Sequence, residues 1–301
     1  MIVEKNSFFN DLFKGLIDYN KYIKKYSLDT TLNIELNSYT RAKKKIINPD
    51  VYYAVNPNIK KAFPAELDDL CRLHYLIISR KVTTILEFGV GKSTLIFNNA
   101  LIKNKIKNKN YISKNLRRGN AFECHSVDNN RKWIKNIRLN NNLANVHIVY
   151  SSLSIGTFND RICTFYKKLP DICPDFIYLD GPDQFSAKNS IRGIRACTID
   201  RVPMSGDVLA FEPFLYPGTL LVVDGRTANA RFLKNNLQRD WIYCYNKDAD
   251  QHFFELSEDP LGFHNNKQIN FCLGKKYFYR LKETRMAIKK SLYQSALKCC
   301  V

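Results

Sequence analysis

The sequence predicts a doubly wound α/β protein: a mostly parallel sheet with helices on both faces, preceded by a helical N-terminal segment. Three observations lead there. From residue 83 onward, short and nearly continuous apolar runs recur with helical stretches between them, and strands apolar on both faces belong to sheets covered on both sides. Before that point the apolar residues fall at helical spacing instead. Across the 301 residues, 45% are apolar and 25% charged, the balance of an ordinary globular protein, which excludes a mainly disordered, collagen-like or coiled-coil chain.

Taken in order, Phe8, Phe9, Leu12, Phe13, Leu16 and Ile17 follow Ser7, a good N-cap, and form an amphipathic first helix. Residues 28–63 are mixed, punctuated by Pro49, Pro57 and Pro64. A second helix is expected over 65–80, with Leu67, Leu70, Cys71, His74 and Ile78 on one face and His74 in the core. Strands follow at Thr84–Phe88, Phe122–Val127, Val146–Tyr150, Phe176–Leu179, Leu220–Val223 and Trp241–Tyr245, with two late ones near 252–256 and 269–273. His125 and His147 lie inside such runs and read as core residues; His252 and His264 fall in a late hairpin region. The basic, Asn-rich stretch Lys103–Asn120 reads as a solvated surface insertion. The resulting organisation is a helical lid or packing segment over 1–80, a sheet domain over 81–280 and a basic helix over 281–301.

No run reaches the roughly 18 apolar residues of a membrane span, and the N-terminus carries no secretory pattern. Nine cysteines without a C-x-x-C pair then read as reduced thiols of a cytoplasmic protein rather than zinc ligands. The net charge of +19 invites a nucleic-acid partner, although Lys, Asn and Ile are abundant everywhere in the chain. The helix over 281–297, with Cys299 and Cys300 behind it, is a docked terminal helix or, alternatively, a weak membrane-surface anchor.

In doubly wound sheets ligands bind beyond the carboxyl ends of the strands, so the residues following each run matter most. The first run leads into Glu87-Phe88-Gly89-Val90-Gly91-Lys92-Ser93-Thr94. A phosphate-binding P-loop would need glycine where Leu86 stands, and a dinucleotide fingerprint would need one where Thr94 stands. An acid two positions before Gly-x-Gly at a strand end instead resembles the first motif of the class I S-adenosylmethionine-dependent methyltransferases. The second strand ends in Asp128-Asn129, the third in Tyr150-Ser151-Ser152, the fourth in Leu179-Asp180-Gly181-Pro182-Asp183 and the fifth in Val223-Asp224-Gly225-Arg226. The Asp-Gly-Pro segment resembles the fourth motif of the same family, and the whole set is similar to bacterial members found near surface-polysaccharide biosynthesis.

That resemblance implies a Rossmann-like, seven-stranded sheet and S-adenosylmethionine as cofactor, with S-adenosylhomocysteine as product. The implied cofactor-binding residues are Glu87, Gly89, Gly91, Ser93, Thr94, Asp128, Asn129, Ser151, Asp180 and Gly181, with Asp128 on the ribose hydroxyls and Ser151 near the adenine. Asp128 as a cap of the following helix, and the two serines as a helix start, are the plainer alternatives. The catalytic candidates are Asp180, Asp183 and Asp224 as bases, and Arg226 as a holder of an anionic group. No metal is assigned: where some relatives carry Asp-Asn after the fifth strand, this chain has Asp224-Gly225. The expected reaction is methylation of a hydroxyl on a sugar or other small polar acceptor; an RNA methyltransferase and a non-enzymatic surface protein are the alternatives.

Overall fold

The structure is a computed structural model that describes residues 1–32, 66–140, 143–182, 186–196, 198 and 204–299. Residues 33–63 of the proline-punctuated stretch, with Pro64, and Asp183 lie outside the described residues. The elements run β1 (Ile2–Glu4), α1 (Ser7–Phe13), α2 (Tyr19–Tyr26), α3 (Leu28–Leu32), α4 (Leu67–Ser79), β2 (Thr84–Phe88), α5 (Lys92–Asn115), β3 (Glu123–Asp128), α6 (Arg131–Asn140), β4 (Val146–Tyr150), β5 (Leu153–Phe158), β6 (Arg161–Tyr166) and β7 (Phe176–Leu179). They continue with α7 (Asp207–Phe211), β8 (Leu220–Asp224), α8 (Thr227–Asn236), β9 (Trp241–Asn246), β10 (Gln251–Leu256), α9 (Gly262–Cys272) and α10 (Lys275–Cys299).

Eight strands form one sheet in the order β1-β9-β10-β8-β7-β2-β3-β4, while β5 and β6 make a separate hairpin. Strands β4, β3, β2, β7 and β8 are mutually parallel, β10 runs antiparallel between β8 and β9, and β1 joins β9 in parallel. The apolar runs are buried on both faces because successive side chains point to opposite sides of the sheet. Ile85, Cys124, Phe176, Tyr178, Leu220, Val222 and Phe253 meet α1, α4 and α5 on one face. Leu86, Phe88, Val127, Ile177, Leu221, Val223 and Phe254 meet α7 and α8 on the other.

Four expectations about the elements are corrected. The sheet has eight strands rather than seven, because Ile2–Glu4 adds an edge strand that three residues of sequence are too short to signal. Lys103–Asn115 is not a surface insertion but the second half of α5, whose Leu101, Asn104, Asn108 and Ile112 form a buried face at helical spacing. Asn104 fits there because its Nδ2 donates to the Ile77 and Val82 carbonyls at 2.9 and 3.0 Å. Residues 269–273 are not a strand: they close α9, so Ile269 packs as a helical residue against Tyr277 and Leu281. Finally, Ser151-Ser152 opens no helix. The β5–β6 hairpin follows, turning on Asn159 and Asp160, both at positive φ, the backbone of a two-residue primed turn.

The N-terminal helices share the core of the sheet: Phe8, Leu12 and Phe13 pack with Ile242, Cys244 and Phe253. His74 is buried as expected, with Tyr22 Oη at 2.9 Å and Asn99 Oδ1 at 3.1 Å. His252 is also a core residue, between Tyr243 and Thr227. His125 and His147 are not core residues: the His147 side chain is 55% exposed on the edge strand. Among the described residues no helix is long and apolar enough to cross a membrane.

Candidate functional site

Strand order reverses at β2: the chain moves from β2 to β3 and β4 on one side, then returns to β7 and β8 on the other. Such a switch point opens a crevice at the carboxyl ends of the strands. The loops after β2, β3, β7 and β8 meet there, and each is held by a specific contact.

The β2 loop is built on a buried acid. Glu87 is fully buried and accepts hydrogen bonds from Ser93 Oγ at 2.5 Å, Thr94 Oγ1 at 2.8 Å and Ser126 Oγ at 2.5 Å. Burial pushes its carboxyl up to about 7, against the pull of those three hydroxyls. Thr94 Oγ1 in turn accepts from the Gly91 N–H at 3.0 Å. Glu87, Ser93 and Thr94 therefore turn their polar atoms on one another and shape the loop from beneath.

Asp128, nearly buried at the end of β3, holds the same loop from the side. Its Oδ2 accepts from the Val90 N–H at 2.9 Å and its Oδ1 from the Asn130 N–H at 2.6 Å. Capping of α6 falls to Asn130, whose Oδ1 accepts from Lys132 N and Trp133 N, both at 3.1 Å. The Trp133 indole N–H donates to the Val90 carbonyl, so the peptides on both sides of Val90 are fixed. Asn129 lies between these two anchors. Ser151 is buried at the end of β4; its N–H donates to the Asp128 carbonyl at 3.0 Å, and its Oγ accepts from Lys168 N at 2.8 Å.

On the other side of the crevice, Asp180 N donates to the Phe88 carbonyl at 3.0 Å, laying the β7 loop against the β2 loop. Gly89, at φ +100, and Gly181 face each other there with no room for side chains between them. Arg226, after β8, donates to the Asp180 carbonyl at 2.7 Å and the Pro182 carbonyl at 3.0 Å, and its Nε lies 3.8 Å from Asp180 Oδ1. It clamps the Asp-Gly-Pro segment across the sheet. Tyr178, inside β7, donates from its hydroxyl to Asp224 Oδ2 at 2.7 Å.

Asp180 presents the most open carboxylate of the group, its side chain 54% exposed. Its carboxyl is raised by the protein around it and then by Asp224, with Arg226 opposing; the open surface weakens the first of these. Asp180 and Asp224 are hard oxygen donors that suit a divalent ion, yet Arg226 and the Tyr178 hydroxyl already partner them.

The structure thus brings together Glu87, Gly89, Gly91, Ser93, Thr94, Asp128, Asn129, Asp180, Gly181, Asp224 and Arg226, with Ser151 at the flank. Sequence reasoning missed Ser126, Asn130, Trp133 and Tyr178. Asn130 had a signal, since an Asn before a helical stretch is a good cap; Ser126 and Tyr178 sat within apolar runs and had none. The small concavity lined by Arg80, Asp175, Gly218 and Cys272 lies at the opposite ends of the strands, away from these loops.

No family model matches the chain, and there is no match among curated proteins. Among solved structures the chain is similar to the cofactor-bound protein Rv0187 from MTB, at 12% identity and a TM-score of 0.37, covering 72% of this chain and 95% of that one. It is also similar to the SAH-bound methyltransferase PaMTH1 of Podospora anserina, at 11% identity and a TM-score of 0.37, covering 75% of this chain and 98% of that one. Likeness at this level carries no functional assignment; the fold rests on the strand order itself.

Proposed function

We propose that this chain is an S-adenosylmethionine-dependent methyltransferase acting on a hydroxyl of a sugar or related small polar molecule. The carrying observation is the convergence, at the switch point, of a glycine loop fixed by Asp128 with an Asp180 loop fixed by Arg226.

The residues present fit the cofactor. A β-carbon on Gly91 would meet nothing within 4 Å, so the loop opens into free space at that point while its other end is packed. Asp128 presents two carboxylate oxygens at the end of β3, held by the Val90 and Asn130 N–H groups, and a pair of acceptor oxygens is the chemistry that suits a vicinal diol. The cofactor would supply an activated methyl group. What the chain contributes is alignment and removal of the acceptor's proton. Asp180 is placed for that removal: it is the open carboxylate of the crevice, raised toward working pH, and Arg226 fixes its backbone carbonyl together with that of Pro182. Asp224, oriented by Tyr178, is the second acid facing the gap. The acidic pair is what favours a hydroxyl acceptor.

The test is transfer of labelled methyl from S-adenosylmethionine to a panel of sugars, sugar nucleotides and RNA, with wild type and Asp180→Asn. Labelled sugar product, lost in Asp180→Asn with S-adenosylhomocysteine affinity retained, supports the reading. Labelled RNA alone would replace the acceptor with nucleic acid, and full turnover by Asp180→Asn would move the base elsewhere.

A further inference from the structure

At the other end of β3 from Asp128, three potential metal ligands converge. Glu123 and His125 stand two residues apart on one strand and so share a face of the sheet. His147 on β4 is the register partner of His125, which places the two imidazoles side by side. Their rings stack with centroids 4.7 Å apart and planes 25° from parallel. The stacking sends both Nε2 atoms the same way: His125 Nε2 lies 3.0 Å and His147 Nε2 3.6 Å from the same atom, Glu123 Oε2. Asn120 Nδ2 donates to that oxygen at 3.0 Å and steadies the carboxylate.

These separations match a coordination sphere. Metal bonds of about 2.0–2.2 Å to imidazole and carboxylate, at tetrahedral or octahedral angles, hold ligand atoms about 3–3.5 Å apart. The three ligand atoms all lie within 4.8 Å of one another. The cluster bridges the terminal strand β4 and its neighbour β3, with the His147 side chain 55% and the Glu123 side chain 33% exposed, so an ion can reach it and keep water on its free positions. Two imidazoles and one carboxylate select first-row transition ions over magnesium or calcium, whose preference is for oxygen alone.

We propose that Glu123, His125 and His147 form a binding site for a divalent transition ion, of which zinc is the representative, bracing β3 to the edge strand β4. Both rings coordinate through Nε2 as neutral imidazoles with the proton on Nδ1, and the ion replaces the hydrogen bond between His125 and Glu123. This site is independent of the proposed methyl transfer and stands or falls without it.

The test is calorimetric titration of metal-free, full-length protein with zinc chloride, using wild type, His147→Ala, Glu123→Gln and a control His264→Ala. His147 and His264 are both exposed, so neither replacement threatens the core. The expected result is one zinc bound per chain in wild type and His264→Ala, with affinity lower by about tenfold or more in His147→Ala and Glu123→Gln. Cobalt(II) added to metal-free protein should give a visible absorption band that His147→Ala loses. Absence of zinc binding by folded wild type would overturn the proposal, as would binding that His147→Ala leaves unchanged.

Discussion

Gly89 and Gly181 lie backbone to backbone: a β-carbon on Gly181 would stand 2.8 Å from the Gly89 nitrogen and 3.0 Å from its α-carbon. This contact joins the loop after β2 to the loop after β7, and backbone atoms cannot swing aside as a side chain would. Gly181→Ala is expected to destabilise the protein by about 1–3 kcal/mol, the usual cost of overpacking. Urea unfolding checks it. Gly91→Ala, whose new methyl would enter open space, serves as the comparison and should cost less.

Arg226 acts on the backbone of its neighbours. Its two carbonyl contacts hold the backbone of Asp180 and Pro182, and under the proposed function this positions the Asp180 carboxylate. Arg226→Ala should cut turnover by at least about tenfold while unfolding free energy falls by only about 1–3 kcal/mol, the worth of charge-assisted hydrogen bonds. Arg226→Lys should recover little, because a single ammonium cannot span both carbonyls as the guanidinium does. Steady-state kinetics on both variants would show it.

Glu87 makes stability depend on pH in a stated direction. Its carboxyl is pushed up to about 7 in the fold, above its ordinary value of 4.5, so the native state holds the proton more tightly than the unfolded chain. Stability contributed by this group is therefore full below about pH 4.5 and declines as pH rises toward 7, by up to about 3 kcal/mol. Glu87→Gln should remove part of that decline. Melting temperatures of both proteins from pH 5 to 8 decide the matter; parallel curves would contradict it.

Glu255 titrates the opposite way. It is fully buried between Arg80, at 2.7 Å, and Arg280, at 2.7 and 2.8 Å. Burial alone would raise its carboxyl, but Arg280 and Arg80 outweigh it and hold the group below its ordinary range. A depressed carboxyl contributes stability above its unfolded pKa that is lost as pH falls through the folded one. Glu255→Gln leaves two buried guanidinium groups uncompensated and should cost about 3–5 kcal/mol, read by urea unfolding at pH 7.

The sequence made these strands legible because each is a short, mostly apolar run: Val146–Tyr150 and Phe176–Leu179 match the structure residue for residue. The loops bearing Gly89, Asp128, Asp180 and Asp224 were legible for the same reason, since each follows such a run. What escaped were features that depend on partners distant in the chain. The edge strand at Ile2 exists only because Trp241 pairs with it. The polar half of α5 is helical because Asn104 finds carbonyls on α4 and the turn beyond it. His125 and His147 look alike in sequence to any buried strand residue, and the position of β4 at the end of the sheet is what exposes His147. Asn159-Asp160 was a readable turn signal, masked by the expectation of a helix after Ser152.

Under the proposed function, the space in front of Gly91 holds S-adenosylmethionine. Calorimetric titration with S-adenosylhomocysteine of wild type and Gly91→Leu tests it most directly. The backbone at Gly91 is extended and its β-position open, so leucine should fold normally while filling the space. Micromolar binding by wild type, abolished in a Gly91→Leu protein with an unchanged melting temperature, is the predicted result. Absence of binding by folded wild type, or equal binding by the variant, would contradict it.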